Sequence, residues 1–347
     1  MPGQFCIQAE LEQRAAKDED AQDFHARYLS VSDYLRREYY DWVQATCPFF
    51  TDHGRKHIDS VVQSVSQLLS GNPGSLSPLD LFLLLSGIVW HDVGNAVSRS
   101  QHSEHIGHIA EEVKKLAFPG PDVQRLVVEI SQAHSRTYGL ATPRLEEDCV
   151  SRSGVTYQVR PRALAALVRL ADEISENRFR ISADLLPNVP DENRIFWEYA
   201  NCISSCRADP LRERIVVQLA IPGERAVARY RCPPKLHERA SADGTISLIE
   251  YIVCRLEKMN LERAYCSPEF TCYASVRSLE VRLSVLRNAE RIPSCDGVVL
   301  IGFSGLGDNS YPSIPIFDDF FKKHPHLTPE RLQEVISTWA AALTSPA

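Results

Sequence analysis

The sequence predicts a mainly α fold: a helical bundle followed by a smaller α+β region. Three observations predict it. Apolar residues recur at steps of three and four along most of the first 185 positions, the period of a helix with one buried face. One stretch there, LDLFLLLSGIVW, is apolar all round and too short to span a bilayer, so it reads as the central helix of a bundle. After LLPNVPDEN the pattern changes to short runs rich in Val, Ile and Leu, the mark of strands.

Taken in order, residues 1–46 form an amphipathic helical extension, broken by CPFFTDHG at 47–54. HIDSVVQSVSQLL places Ile58, Val61, Val62, Val65, Leu68 and Leu69 on one helical face. GNPGSLSP is a turn, and Leu79 to His91 is the central helix. HSEHIGHIAEEVKKLAF and VQRLVVEISQAH are two further helices separated by PGP. ATPRLEEDCVSRSGVTYQVRP reads as a polar loop, and ALAALVRLADEISE as another helix. A boundary near 186–194 follows, so 47–185 is read as a helical domain and 186–347 as the α+β region. Within it, RERIVVQLAIPGERAVARYRC reads as two strands joined by a PGER turn. SLIEYIVCRLEKMNLERAY is a helix, SLEVRLSVL and DGVVLIGF are strands, and a Pro-rich connection leads to a last helix. SGLGDN at 304–309 lacks the Gly-Lys-Ser/Thr ending of a phosphate loop and reads as a turn.

The formal net charge is -7, from 38 basic and 45 acidic residues. That weighs against bulk nucleic acid as a partner. It leaves open a small anion held by a metal, because a metal supplies local positive charge that net charge does not report. The beginning, MPGQFCIQAELEQRAAKDED, turns acidic where an export signal would be apolar. Ten scattered cysteines without a C-x-x-C then read as reduced thiols, Cys202 and Cys206 among them as packing, and the expected location is cytoplasmic.

The central helix ends in IVWHDVGN, an adjacent His91 and Asp92 in apolar surroundings. Burying an ionised carboxylate without a partner costs several kcal/mol or more, so something must neutralise it. Of eleven histidines, eight lie between positions 25 and 134. His57 opens one helix, His91 and Asp92 end another, His134 ends a third, and Asp172 sits beside the apolar stripe of a fourth. Imidazoles and carboxylates converging in a bundle core make a site for divalent first-row ions.

These residues resemble the HD-domain superfamily of metal-dependent phosphohydrolases. Its signature is a His, then a His-Asp pair, then a distant Asp, each on a different helix. The first matches His57 in HIDSV, the doublet His91 and Asp92 in HDVGN, and the last Asp172 in LVRLADEIS, across residues 47–182. Some members carry two more histidines that hold a second metal. His134 in ISQAHS fits one of them; for the other, His102 stands where the family puts it, His105 competes, and His108 lies one turn deeper. The chain departs from the cyclic-di-nucleotide branch: Asn95 replaces its Lys, and a Gly-Tyr-Pro motif is missing.

The resemblance implies two divalent ions (Mn, Fe, Mg, Ni or Zn), with Asp92 bridging them as the catalytic residue. His57, His91 and Asp172 would complete one ion, and His102 and His134 the other. The ions would lower the pKa of a shared water and bind phosphate oxygens, cleaving a nucleotide or related small phosphoester. His53 reads either as a substrate contact or, preferably, as a loop cap, and Arg99 as a phosphate clamp. Arg178 and Arg180 read as surface or interdomain ion pairs. The rival classes are a nucleotide-sensing or partner-docking module without turnover, and a nuclease. Residues 186–347 offer a surface for a homo-oligomer or a partner protein.

Overall fold

The computed structural model describes residues 6–287, 290–291, 297–302 and 317–344. The chain begins with α1 (Ile7–Ala15), α2 (Glu19–Leu35), one π turn (Arg36–Tyr40) and α3 (Asp41–Thr46). Asp18 caps α2 by accepting from the Ala21 N–H at 2.7 Å. Phe24, Tyr28, Val31 and Leu35 recur at four- and three-residue steps and are all buried.

The helical bundle follows: α4 (Arg55–Leu69), α5 (Pro78–Trp90), α6 (His102–Ala117), α7 (Pro121–Gln132) and α8 (Pro161–Ile174). Helix α5 starts with a capping box between Ser77 and Asp80 and buries every residue from Leu79 to Trp90. A side chain on Gly87 would come within 2.8 Å of Ile130, so the glycine lets α7 lie close to α5. The Tyr40 hydroxyl donates to the Val89 carbonyl at 2.7 Å and ties the π turn to the end of α5.

The polar loop expected at 141–161 is in part a β-hairpin, β1 (Asp148–Arg152) with β2 (Val155–Val159). Its two-residue turn, Ser153-Gly154, has both residues at positive φ, the twist that a hairpin needs. The hairpin is pinned to α2, where Asp20 accepts from Arg152, Ser153 and Tyr157.

The second half is α+β. It comprises α9 (Asp191–Cys202), β3 (Ile203–Asp209), β4 (Arg214–Pro222), α10 (Gly223–Ala226), β5 (Arg229–Arg231), β6 (Thr245–Ser247) and α11 (Leu248–Cys266). These lead to β7 (Ser278–Arg287), β8 (Glu290–Arg291), β9 (Gly297–Gly302), α12 (Phe317–Lys323) and α13 (Pro329–Thr344). The two strands expected around PGER both form, but they do not pair. The turn there is the short helix α10, and it carries the chain out of one sheet into another: β4 lies between β3 and β7, while β5 pairs with β6. Strands β4 and β7 are parallel, which requires the long crossover through α11. The SGLGDN turn and most of the Pro-rich connection lie outside the described residues.

One contiguous core runs from Ile7 to Leu332 through both halves. Helix α11 packs on α8, so the α+β half rests against the helix that carries Asp172. The described cysteines are free thiols. Among the described residues, no helix is long and apolar enough to cross a membrane.

Candidate metal centre

Helix ends converge at one point of the bundle. His57 is in the first turn of α4, His91 and Asp92 follow α5, His102 opens α6, His134 lies just past α7, and Asp172 is near the end of α8. Asp92 stands at the centre. Its Oδ2 is 2.9 Å from His53 Nδ1, 3.5 Å from His91 Nε2 and 3.7 Å from His57 Nε2. Its Oδ1 is 3.9 Å from both His102 Nε2 and His134 Nε2. Asp172 Oδ1 lies 3.0 Å from His57 Nε2 and 3.7 Å from His91 Nε2. Three overlapping sets of donor atoms result: His53, His57 and Asp92; His57, His91 and Asp172; Asp92, His102 and His134.

The imidazoles are oriented by the backbone. His91, His102 and His134 each set Nδ1 against the carbonyl three residues earlier, of Ile88, Arg99 and Ser131. A carbonyl only accepts, so Nδ1 carries the proton, and in a neutral ring Nε2 is left with a lone pair facing the carboxylates. His102 Nε2 and His134 Nε2 stand 3.0 Å apart. Two lone pairs at that distance repel; the Nδ1–H bonds to the Arg99 and Ser131 carbonyls hold the rings in place against that repulsion, and a cation between them would remove it. His57 Nδ1 and His91 Nε2 are buried without a hydrogen-bond partner, and His57 Nε2 faces only the Asp172 and Asp92 carboxylates. Buried polar atoms in that state call for a ligand.

The charge balance says the same. Burial pushes Asp92 and Asp172 up, but the neighbouring histidines outweigh it and hold both well below the usual carboxylate range. Burial pushes the His91 ring down, but the charges of Asp92 and Asp172 outweigh it and lift the ring to about 9. With only protein atoms present, the centre gathers a proton on His91. His53 and His134 are pushed down to about 3, first by burial, then by Arg180 and by His91 respectively. They are neutral donors. Imidazole and carboxylate donors around two ionised carboxylates fit a divalent cation.

Residues 47–244 match the model of the HD-CE family, an HD-domain family. The chain belongs to that family. No curated protein matches it. The HD-CE segment contains every donor just described, which supports a metal-dependent hydrolase as the general class.

Two sequence expectations change. His53 is not a loop cap: Gly54 starts α4, and the His53 ring faces Asp92 among the candidate ligands. Its spacing of four from His57 was the available signal, but the break before α4 hid the geometry. Arg180 is not on the surface, although it does form an ion pair, with Glu176 at 3.9 Å. It is buried, donates to the Asp52 carbonyl and approaches the His53 ring at 3.3 Å. Only the fold brings it there. Of the competing histidines on α6, His102 joins the donor sets; His105 and His108 do not.

The centre opens where Asp172 is 30% and Arg99 39% exposed in their side chains. Arg99 Nη1 lies 4.0 Å from Asp92 Oδ1 and donates to Asn95 Oδ1 at 2.9 Å. Its guanidinium rests 5.6 Å from the Phe50 ring centroid.

Proposed function

We propose that this HD-CE protein is a phosphohydrolase that cleaves a nucleotide or a related small phosphoester with two divalent ions. The observation that carries the reading is the pair of faces on Asp92. One carboxylate oxygen faces His53, His57 and His91, and the other faces His102 and His134. A single buried carboxylate with donors on both sides is built to be shared.

His57, His91 and Asp172 would hold one ion, with His53 beside it; His102 and His134 would hold the other; Asp92 would belong to both. Imidazole-rich sets suit Fe, Ni or Zn better than Mg, and the carboxylates among the donors admit Mn as well. When bound, such ions acidify a water and neutralise charge on a phosphoryl group. The chain's own residues do the positioning. Arg99, held by Asn95 and Phe50 at the mouth, binds a phosphate oxygen without rearranging. The neutral His53, its Nδ1 2.9 Å from Asp92 Oδ2, orients that carboxylate.

The test is a panel of nucleotides and simple phosphomonoesters and diesters, assayed with each metal, on wild-type protein and Asp92→Ala. Turnover that the substitution abolishes supports the reading. A protein that binds the ions but turns over nothing is a sensing or docking module instead.

A further inference from the structure

Arg169 lies on α8 one turn before Asp172, and only 4% of its side chain is exposed. The chemistry above makes no use of it. Its Nε and Nη2 donate to the two carboxylate oxygens of Glu262, on α11, at 2.7 and 3.1 Å. Its Nη1 donates to the carbonyls of Ala133 and Ser135, at 3.1 and 3.0 Å. His134 is the residue between them. The guanidinium carbon also stands 5.1 Å from the ring centroid of Tyr265, one turn further along α11. The Tyr265 hydroxyl in turn accepts from the Leu140 N–H at 2.8 Å. The segment 133–140, which leaves α7 and carries His134, is thus tied to α8 and α11 near both its ends.

Burying both members of an ion pair carries a large desolvation penalty, and apolar residues of similar volume are often as stable in their place. An apolar pair does not donate to carbonyls beyond a helix end, which have no partner within the helix. A lysine carries the charge without the fork that serves Glu262 and two carbonyls together. We infer that Arg169 is a positioning residue for the outer half of the centre. By holding the carbonyls on either side of His134 it aims His134 Nε2 at Asp92 Oδ1 and His102, and Glu262 and Tyr265 fix it from α11. The C-terminal half of the chain thereby sets the geometry of a candidate ligand that it does not itself supply. The inference rests on the two-ion reading only for its effect on metal binding.

The test uses the full chain with Arg169→Lys, and has two readouts. The first is the tautomer of His134 in metal-stripped protein, from long-range proton–nitrogen spectra of the imidazoles. The second is Mn²⁺ binding by calorimetry. Wild-type His134 shows one tautomer, protonated at Nδ1. In the variant it shows a mixture, and the weaker Mn²⁺ site loses about 10- to 100-fold in affinity while the tighter one stays within about twofold. A folded variant with the wild-type tautomer and both wild-type affinities overturns the inference, as does an equal loss at both sites. Glu262→Gln, which keeps the shape and weakens the grip, is read in the same way and decides the matter if the lysine variant does not fold. If the wild-type protein binds fewer than two Mn²⁺, the two-ion reading fails, and the tautomer of His134 alone decides the role of Arg169.

Discussion

Gly94, two residues after Asp92, tests how tightly the centre is built. It lies in the short 3-10 turn that leads away from the His-Asp pair, and it packs against the backbone of His102. A Cβ placed on Gly94 would stand 2.0 Å from the His102 carbonyl oxygen, 2.7 Å from its carbon and 2.9 Å from its Cα. All three are backbone atoms, so no side-chain rotation relieves the contact. Restoring an ordinary separation of about 3.4 Å requires the two segments to part by about 1.4 Å. Metal ligands tolerate departures of about 0.2 Å from their preferred distances. Gly94→Ala is therefore expected to withdraw His102 from His134 and Asp92 and to lower stability by about 1–3 kcal/mol through overpacking. Metal content by elemental analysis should fall from two ions to about one, and urea denaturation of the metal-free protein should report the stability loss. Wild-type stability together with wild-type metal content would refute the close approach on which the outer half of the centre depends.

Arg99→Ala should keep the bound ions and raise the Michaelis constant or lower turnover by one to two decades, the worth of a charge-assisted contact of about 1.5–3 kcal/mol; loss of the ions would show that Arg99 supports the ligands instead. Chelation should lower the melting temperature, since an ion at about 1,000 times its Kd adds about 4.1 kcal/mol to the folded state; an unchanged curve after verified metal removal would count against ions joining these helices. The metal-free protein should be most stable near pH 6.5. His53 and His134, at about 3 when folded, take up protons first in the unfolded chain, so stability falls as pH drops from about 6.5 towards 3. His91, raised to about 9, contributes stability that is fully present below about 6.5 and lost as pH rises through 9. A monotonic stability profile measured across that range by denaturant titration would contradict these assignments. Because a cation replaces the His91 Nε2 proton, ion binding at pH 7 should release about one proton, seen as a dependence of calorimetric heat on buffer ionisation.

The sequence by itself determined the helices of the bundle and most of the candidate donors, but not α9 or the place of His53. Strict three- and four-residue spacing marks α4, α7 and α8, and an unbroken apolar run marks α5, because a helix buried on one side or on all sides writes its environment into its own period. His91 and Asp92 at the end of α5 were legible because a charged pair after an apolar run needs a reason to be there. The hairpin around Ser153-Gly154 was read as a polar loop, because its polar flanks masked the strands. Other features have no local signature. Strands β4 and β5 look like a hairpin in sequence, and only their pairing with β7 and β6 separates them. The place of His53 beside Asp92, the burial of Arg180 against it, and the grip of Arg169 on both sides of His134 join residues 39, 127 and 34–36 positions apart. Periodicity reports which face of an element is buried; it carries no information about which other element lies against that face. The tertiary structure decides that, and with it whether scattered histidines form a centre.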